Sequence, residues 1–171
     1  SFRRTNLPQL RADLTNPAVA ELTRYMGSIV VLQSRGARGS LRRAAVDAGI
    51  PAVTVEAGEP LNVEPSAVQQ GVESIEALLS KLNMYPYKGL WARKTEPVYY
   101  KSRWIRAQAG GILLNRARLG ERIKRDQLLG VVTDPITNVS HEIRAPMPGR
   151  VIGMALNQVM LPGFAAYHIG Y

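Results

Sequence analysis

Ile50-Pro51-Ala52-Val53-Thr54-Val55-Glu56-Ala57-Gly58 is an apolar, β-branched run that ends in a single carboxylate followed at once by small residues. A run of this kind predicts a buried strand of an α/β sheet. An unpaired carboxylate in the middle of such a strand would be strongly destabilising, so Glu56 is expected where the strand emerges into a cleft. Ligand sites in open α/β sheets collect at that edge. Glu56 is therefore the first candidate for a catalytic group. The competing reading is a structural glutamate that accepts hydrogen bonds from loop N–H groups.

On either side of this run, strand and helix signals alternate. Pro17 to Met26 predicts a helix, Ser28 to Gln33 a strand centred on Ile29-Val30-Val31-Leu32, and Ser40 to Ala48 a short helix closed by Gly49. A longer helix begins near Pro65, with Val68, Val72, Ile75, Leu78, Leu79 and Leu82 recurring at three- and four-residue spacing. That stripe is read as core packing. Strand, helix, strand, helix in this order indicates a βαβ unit with parallel strands and a right-handed crossover.

Beyond Asn83 the pattern is interrupted by Pro86, Gly89 and Pro97, and the remainder of the chain is read as β structure. Ile105-Arg106-Ala107 followed by Gly111 returns as Ile143-Arg144-Ala145 followed by Gly149, and the match continues with a one-residue slip. Gly120 then corresponds to Asn157, Ile123 to Met160, Leu128 to Ala165 and Val132 to Ile169. Two such units, each unable to bury its apolar face alone, would interlock into a small barrel or sandwich. This repeat resembles the barrel-sandwich fold of biotinyl and lipoyl domains. A swinging-arm carrier, however, needs a lysine in the hairpin joining the halves, and Thr133 to Glu142 contains none.

Composition narrows the function further. The 171 residues are 46% apolar, enough for one large or two small cores. No apolar run approaches the ~18 residues of a membrane span, and Ser1-Phe2-Arg3-Arg4 does not resemble a signal peptide, so a cytoplasmic protein without membrane association is expected. The absence of cysteine excludes thiol catalysis and thiolate metal sites. His141 and His168 lack the spacing of a metal pair and read as structural. The net charge of +9 is spread from Arg3 to Arg150 without a recognition-helix or zinc-finger pattern, so nucleic acid is not an expected partner.

One basic cluster stands apart. Ser34-Arg35-Gly36-Ala37-Arg38-Gly39-Ser40-Leu41-Arg42-Arg43 joins two glycines and four arginines directly after an apolar strand. Guanidinium forks at a strand-to-helix turn suit a carboxylate or phosphate ligand, the alternative being a solvated loop and helix face.

With both halves in view, nearly all of the chain resembles the C-terminal portion of the succinylglutamate desuccinylase/aspartoacylase family, zinc-dependent amidohydrolases related to the zinc carboxypeptidases. The motifs that carry the resemblance are Gly49-Ile50-Pro51, Thr54-Val55-Glu56-Ala57-Gly58, Ala109-Gly110-Gly111, Leu129-Gly130 with Asp134-Pro135, and Ala145-Pro146 with Gly149-Arg150-Val151-Ile152-Gly153. The resemblance implies an α/β part over residues 1–88, a partial zinc-carboxypeptidase-like βαβ layer, and a β barrel-sandwich part with an internal two-fold repeat over residues 89–171. It implies hydrolysis of the amide bond of an N-acyl amino acid or similar small acidic amide, with Glu56 of the T-x-E-x-G pattern as general base and acid. Arg42 or Arg43 is the expected clamp on the substrate carboxylate.

The family's zinc ligands have no counterpart here. Zinc, if used, is expected to be held by polypeptide upstream of Ser1, and the chain alone is expected to be inactive. A homo-oligomer is also expected. The alternative is a non-catalytic β-sandwich module for ligand binding or assembly, with Glu56 structural.

Overall fold

The computed structural model describes residues 4–84, 86 and 96–171. They form two compact units: an α/β unit of Pro8–Gly58 and Val63–Tyr100, and a β unit of Ser1–Leu7, Glu59–Asn62 and Lys101–Tyr171. The boundary expected between residues 88 and 89 lies outside the described residues.

The first strand, β1 (Arg4–Ala12), is one that apolar periodicity does not predict. Arg4, Thr5 and Asn6 pair antiparallel within the β unit, whereas Gln9 to Ala12 pair parallel with Val30 to Gln33 of β2 (Val30–Gln33) in the α/β unit. Pro8, which has no N–H to give, falls between these two ladders.

Between β1 and β2 runs helix α1 (Pro17–Tyr25). The Asn16 side chain accepts from the N–H groups of Ala18 and Val19 (3.0 and 3.3 Å), and Pro17 takes a first-turn position where no N–H is needed. Helix α2 (Leu41–Asp47) is capped by Ser40 and ends at Ala48 before Gly49 in the left-handed region (φ 82°). Strand β3 (Thr54–Gly58), helix α3 (Pro65–Lys81) and strand β4 (Val98–Tyr99) complete the unit. Its sheet order is β4-β2-β1-β3, so β1 lies between the two strands of the expected βαβ unit. The core gathers Leu10, Ala12, Val19, Met26, Ile29 and Val31, with Val46, Val53 and Leu78 against it.

Two expectations for this unit are corrected. The run around Glu56 is not a buried strand: Thr54 and Ala57 are exposed and Val55 keeps 37% of its surface accessible. The physical reason is position, since among the described residues β3 pairs only with β1 and stands at the sheet edge. The apolar stripe of α3 is only in part its packed face, through Leu78. Ala67, Ser74 and Ala77 are buried, while Val68, Val72, Ile75 and Leu82 are exposed by 45–52%. Small side chains let the helix backbone approach its neighbours closely, which places the long ones one residue further round.

The β unit contains β5 (Ser102–Arg106), β6 (Gly111–Asn115), β7 (Arg122–Ile123), β8 (Leu128–Thr133), β9 (Ser140–Arg144), β10 (Gly149–Ala155), β11 (Val159–Met160) and β12 (Ala165–Gly170). The start of β1 pairs with β10, which pairs with β12, which pairs with β5; β7 also pairs with β10. A second, antiparallel sheet runs β11-β6-β8-β9. Leu113, Leu129, Val132, Val151, Met160, Tyr167 and Ile169 fill the core. Gly130 is required by close approach, because a Cβ there would fall on the Tyr167 hydroxyl, which donates to the Leu129 carbonyl oxygen (2.8 Å).

Candidate active site

β1 and β2 run parallel and finish in register, with Ala12 opposite Gln33. Along β1 the side chains alternate between faces. Leu10 and Ala12 enter the core, so Gln9 and Arg11 share the other face. Both reach Glu56 on the neighbouring β3. Gln9 Nε2 donates to Glu56 Oε2 (2.8 Å), and Arg11 Nε donates to Glu56 Oε1 (3.1 Å).

The carboxylate is thus held on both oxygens while its side chain stays 36% exposed. Each oxygen has a second lone pair for a further donor. Gln9 is fully buried, and its Oε1 has no hydrogen-bond partner among the described residues. An ionised Glu56 only accepts, so the Gln9 amide must turn its NH2 toward it and its oxygen away.

Asp13 follows directly on β1 and is buried. Its Oδ1 accepts from Thr15 Oγ1 (2.6 Å), Thr15 N (3.2 Å) and Gln33 Nε2 (3.3 Å), and Arg35 Nε lies 3.4 Å from Oδ2. The Thr15 hydroxyl above all, helped by Gln33, the Thr15 N–H and Arg35, holds the Asp13 carboxyl below its usual 3.8 despite burial. Gln33 Oε1 in turn accepts from Leu14 N (2.7 Å). These bonds fasten the end of β2 to the turn after β1.

The arginine-rich loop lies beyond β2. From α2, Arg42 reaches back to Ser34, its Nη1 donating to the carbonyl oxygen (2.5 Å) and its Nη2 to the hydroxyl (3.2 Å). Gly36 makes this possible twice over: its φ of 81° disfavours a side chain, and a Cβ would come within 3.2 Å of Arg42 Nη2. Burial first, and then the like charge of Arg11, lowers the Arg42 pKa from its ordinary value. Arg42 therefore sits in the same electrostatic neighbourhood as Arg11 and Glu56, bonded to neutral groups. Arg43 is directed elsewhere: its Nε donates to Asp47 Oδ2 (2.8 Å) one turn along α2.

The structure thus bonds Glu56 to Gln9 and Arg11, Arg42 to Ser34, and Arg43 to Asp47 of its own helix. Sequence reasoning missed Gln9, Arg11, Asp13 and Gln33. The available signal was the alternation Gln9, Leu10, Arg11, Ala12, with two polar side chains on one face and two apolar ones on the other. Of the histidines, His168 is buried with Nε2 2.9 Å from Ser102 Oγ, and His141 lies on β9 opposite Val132. Chemically, the group offers a partly exposed carboxylate oriented by an amide and a guanidinium.

No protein-family model matches the sequence, and no curated protein does. Solved structures share the fold. The apo form of the ectoine utilization protein EutE (DoeB) from Ruegeria pomeroyi matches with a TM-score of 0.86 at 16% identity, over 99% of this chain and 56% of that one. A succinylglutamate desuccinylase from a Silicibacter species gives 0.83 at 16%, over 99% and 55%. An aspartoacylase family protein from Mesorhizobium loti gives 0.77 at 13%, over 100% and 60%. The chain spans little more than half the length of these proteins, and its mixed and antiparallel sheets match that part of their fold.

Proposed function

We propose that this chain is the C-terminal part of a deacylase of the succinylglutamate desuccinylase/aspartoacylase family, hydrolysing the amide bond of an N-acyl amino acid or similar small acidic amide. The observation that carries this reading is Glu56: the glutamate of the T-x-E-x-G pattern stands on β3 with both oxygens anchored and a lone pair on each still open. The fold shared with desuccinylase structures over nearly the whole chain supports it. Glu56 takes a proton from the attacking water and returns it to the leaving amine. Gln9 and Arg11 fix the direction of the carboxylate. Arg42 offers its charge to the substrate's carboxylate, whereas Arg43 would first have to release Asp47.

The family resemblance implies zinc, which when bound would polarise the amide carbonyl and lower the pKa of water. Among the described residues no three His, Asp or Glu side chains lie together to hold a metal ion, so these residues do not by themselves fit a zinc site. No step assigned to Glu56 or Arg42 passes through the metal. We assign its ligands to polypeptide upstream of Ser1 and expect the 171 residues alone to be inactive.

The same reading takes the β unit as two copies of one four-strand element. β6 pairs with β8 and β11 as β10 pairs with β12 and β7, and β8 pairs with β9 as β12 pairs with β5. It also places the protein in the cytoplasm as a homo-oligomer; no described helix is long and apolar enough to cross a membrane, and the open edge of β3 supports association.

The test is Glu56→Gln in a family-length polypeptide carrying this chain. Turnover of N-acyl amino acids is expected to fall by about 10²–10⁴-fold. The partly exposed Arg11–Glu56 pair contributes at most about 1 kcal/mol to stability, so the denaturation midpoint of the 171-residue chain should barely move. Unchanged turnover removes the catalytic role. The tie from β1 to β3 that Arg11 and Glu56 make favours one second reading, a non-catalytic module with Glu56 structural. That reading requires a clearly lowered midpoint and no hydrolase activity.

A further inference from the structure

The β unit contains a cavity of about 290 Å³ lined by Arg4, Arg106, Ala155, Asn157, Val159, Met160, Gly163, Phe164 and Ala165. Its wall is sharply divided by chemistry. Val159, Met160, Phe164, Ala155 and Ala165 present apolar surface; the charged groups are two guanidinium ions. Among the described residues no carboxylate lines it.

Both arginines are positioned by contacts that leave their charge uncancelled. Arg106 Nη1 donates to the Gly163 carbonyl oxygen (2.7 Å), a neutral acceptor, which fixes the side chain at the rim while its other N–H groups stay available. The Arg4 guanidinium carbon lies 4.4 Å from the centre of the Trp104 ring, and that ring stacks on buried His168 (4.5 Å between centroids, 7° between planes). An aromatic platform restricts the guanidinium without neutralising it. Among the described residues neither arginine is paired with a carboxylate.

Two oriented cations beside an apolar pocket are complementary to a molecule with a carboxylate at one end and a short hydrocarbon chain at the other. We propose that this cavity is a binding site for a small apolar carboxylate, its anionic head held by Arg4 and Arg106 and its chain against Val159, Met160 and Phe164. The polar lining beyond the arginines is Asn157, which can donate to a carboxylate oxygen or accept from an amide. A bare inorganic anion would leave the apolar wall unused, and a neutral chain would leave the guanidinium groups unused. The site stands on residues of the β unit and does not depend on the role given to Glu56.

Calorimetric titration of the 171-residue chain with hexanoate, acetate, hexanol and inorganic phosphate tests it. Hexanoate should bind saturably, one per chain, and about tenfold or more tighter than each of the other three, because only it uses both halves of the cavity. Arg106→Gln and Arg4→Gln should each weaken hexanoate by about tenfold, the scale of a charge-assisted hydrogen bond. Amide and methyl NMR shifts on the unaltered protein should map hexanoate to Val159, Met160 and Phe164, a readout that needs no variant to fold. Phosphate binding as tight as hexanoate, hexanoate shifts mapping elsewhere, or no saturable binding to the folded chain would overturn the proposal.

Discussion

The two units spend their apolar residues differently. In the β unit Leu113, Leu129, Ile152, Tyr167 and Ile169 are fully buried, and two sheets supply the surfaces that cover them. In the α/β unit the most regular apolar pattern of the chain, the α3 stripe, is half exposed, and so is the β3 run. Periodicity therefore reports that a surface is apolar on one side; it does not say that these residues themselves will cover it. A segment matching little more than half of its structural neighbours' length is where the two statements separate.

Truncation in the β core should be the costliest way to probe this contrast. Leu113→Ala is expected to destabilise by about 2–5 kcal/mol in urea unfolding, as deletion at a fully packed site does. In the α/β unit the largest effect should come from a polar group. Asp13→Ala loses the acceptor on which the turn after β1 closes, at about 1–3 kcal/mol. Because the folded-state pKa of Asp13 is depressed below 3.8, its contribution is complete above that value and is lost as pH falls through the folded pKa. Acid titration of stability should thus be flatter in the variant.

Tyr167→Phe should cost about 1 kcal/mol through the bond to the Leu129 carbonyl. Burial raises the phenol above its ordinary 10.0, so the neutral form is favoured in the fold. Its stabilisation is intact below pH 10 and declines as pH rises further, and the variant should lose that alkaline slope. Val72→Ala, on the half-exposed stripe, should change stability by no more than about 0.5 kcal/mol. A cost equal to that of Leu113→Ala would abolish the distinction between the units.

Legibility in the sequence divides in the same way, between local and distant forces. Asn16-Pro17, Ser40 and Gly49 act on their own helix ends, and α1, α2 and α3 fall close to where their caps and periodicity place them. β1 escaped because the face opposite Leu10 and Ala12 carries the polar Gln9 and Arg11 and because Pro8 interrupts it, both of which mimic a loop. At the candidate site, Glu56 was conspicuous as a lone carboxylate closing an apolar run. Its partners Gln9 and Arg11 come from a strand far away in sequence, and no spacing rule connects them. The choice of Arg42 or Arg43 was open because adjacent helix residues point in different directions, and the i,i+4 pairing of Arg43 with Asp47 becomes decisive only once α2 exists.

The outer rim of β3 has a practical consequence. A strand that among the described residues leaves one side unpaired, with Val55 partly bare, is a template on which further copies can stack. Part of these 171 residues should be lost to aggregation on overproduction by themselves, and the soluble share should rise when a charged residue or a proline is placed on that rim.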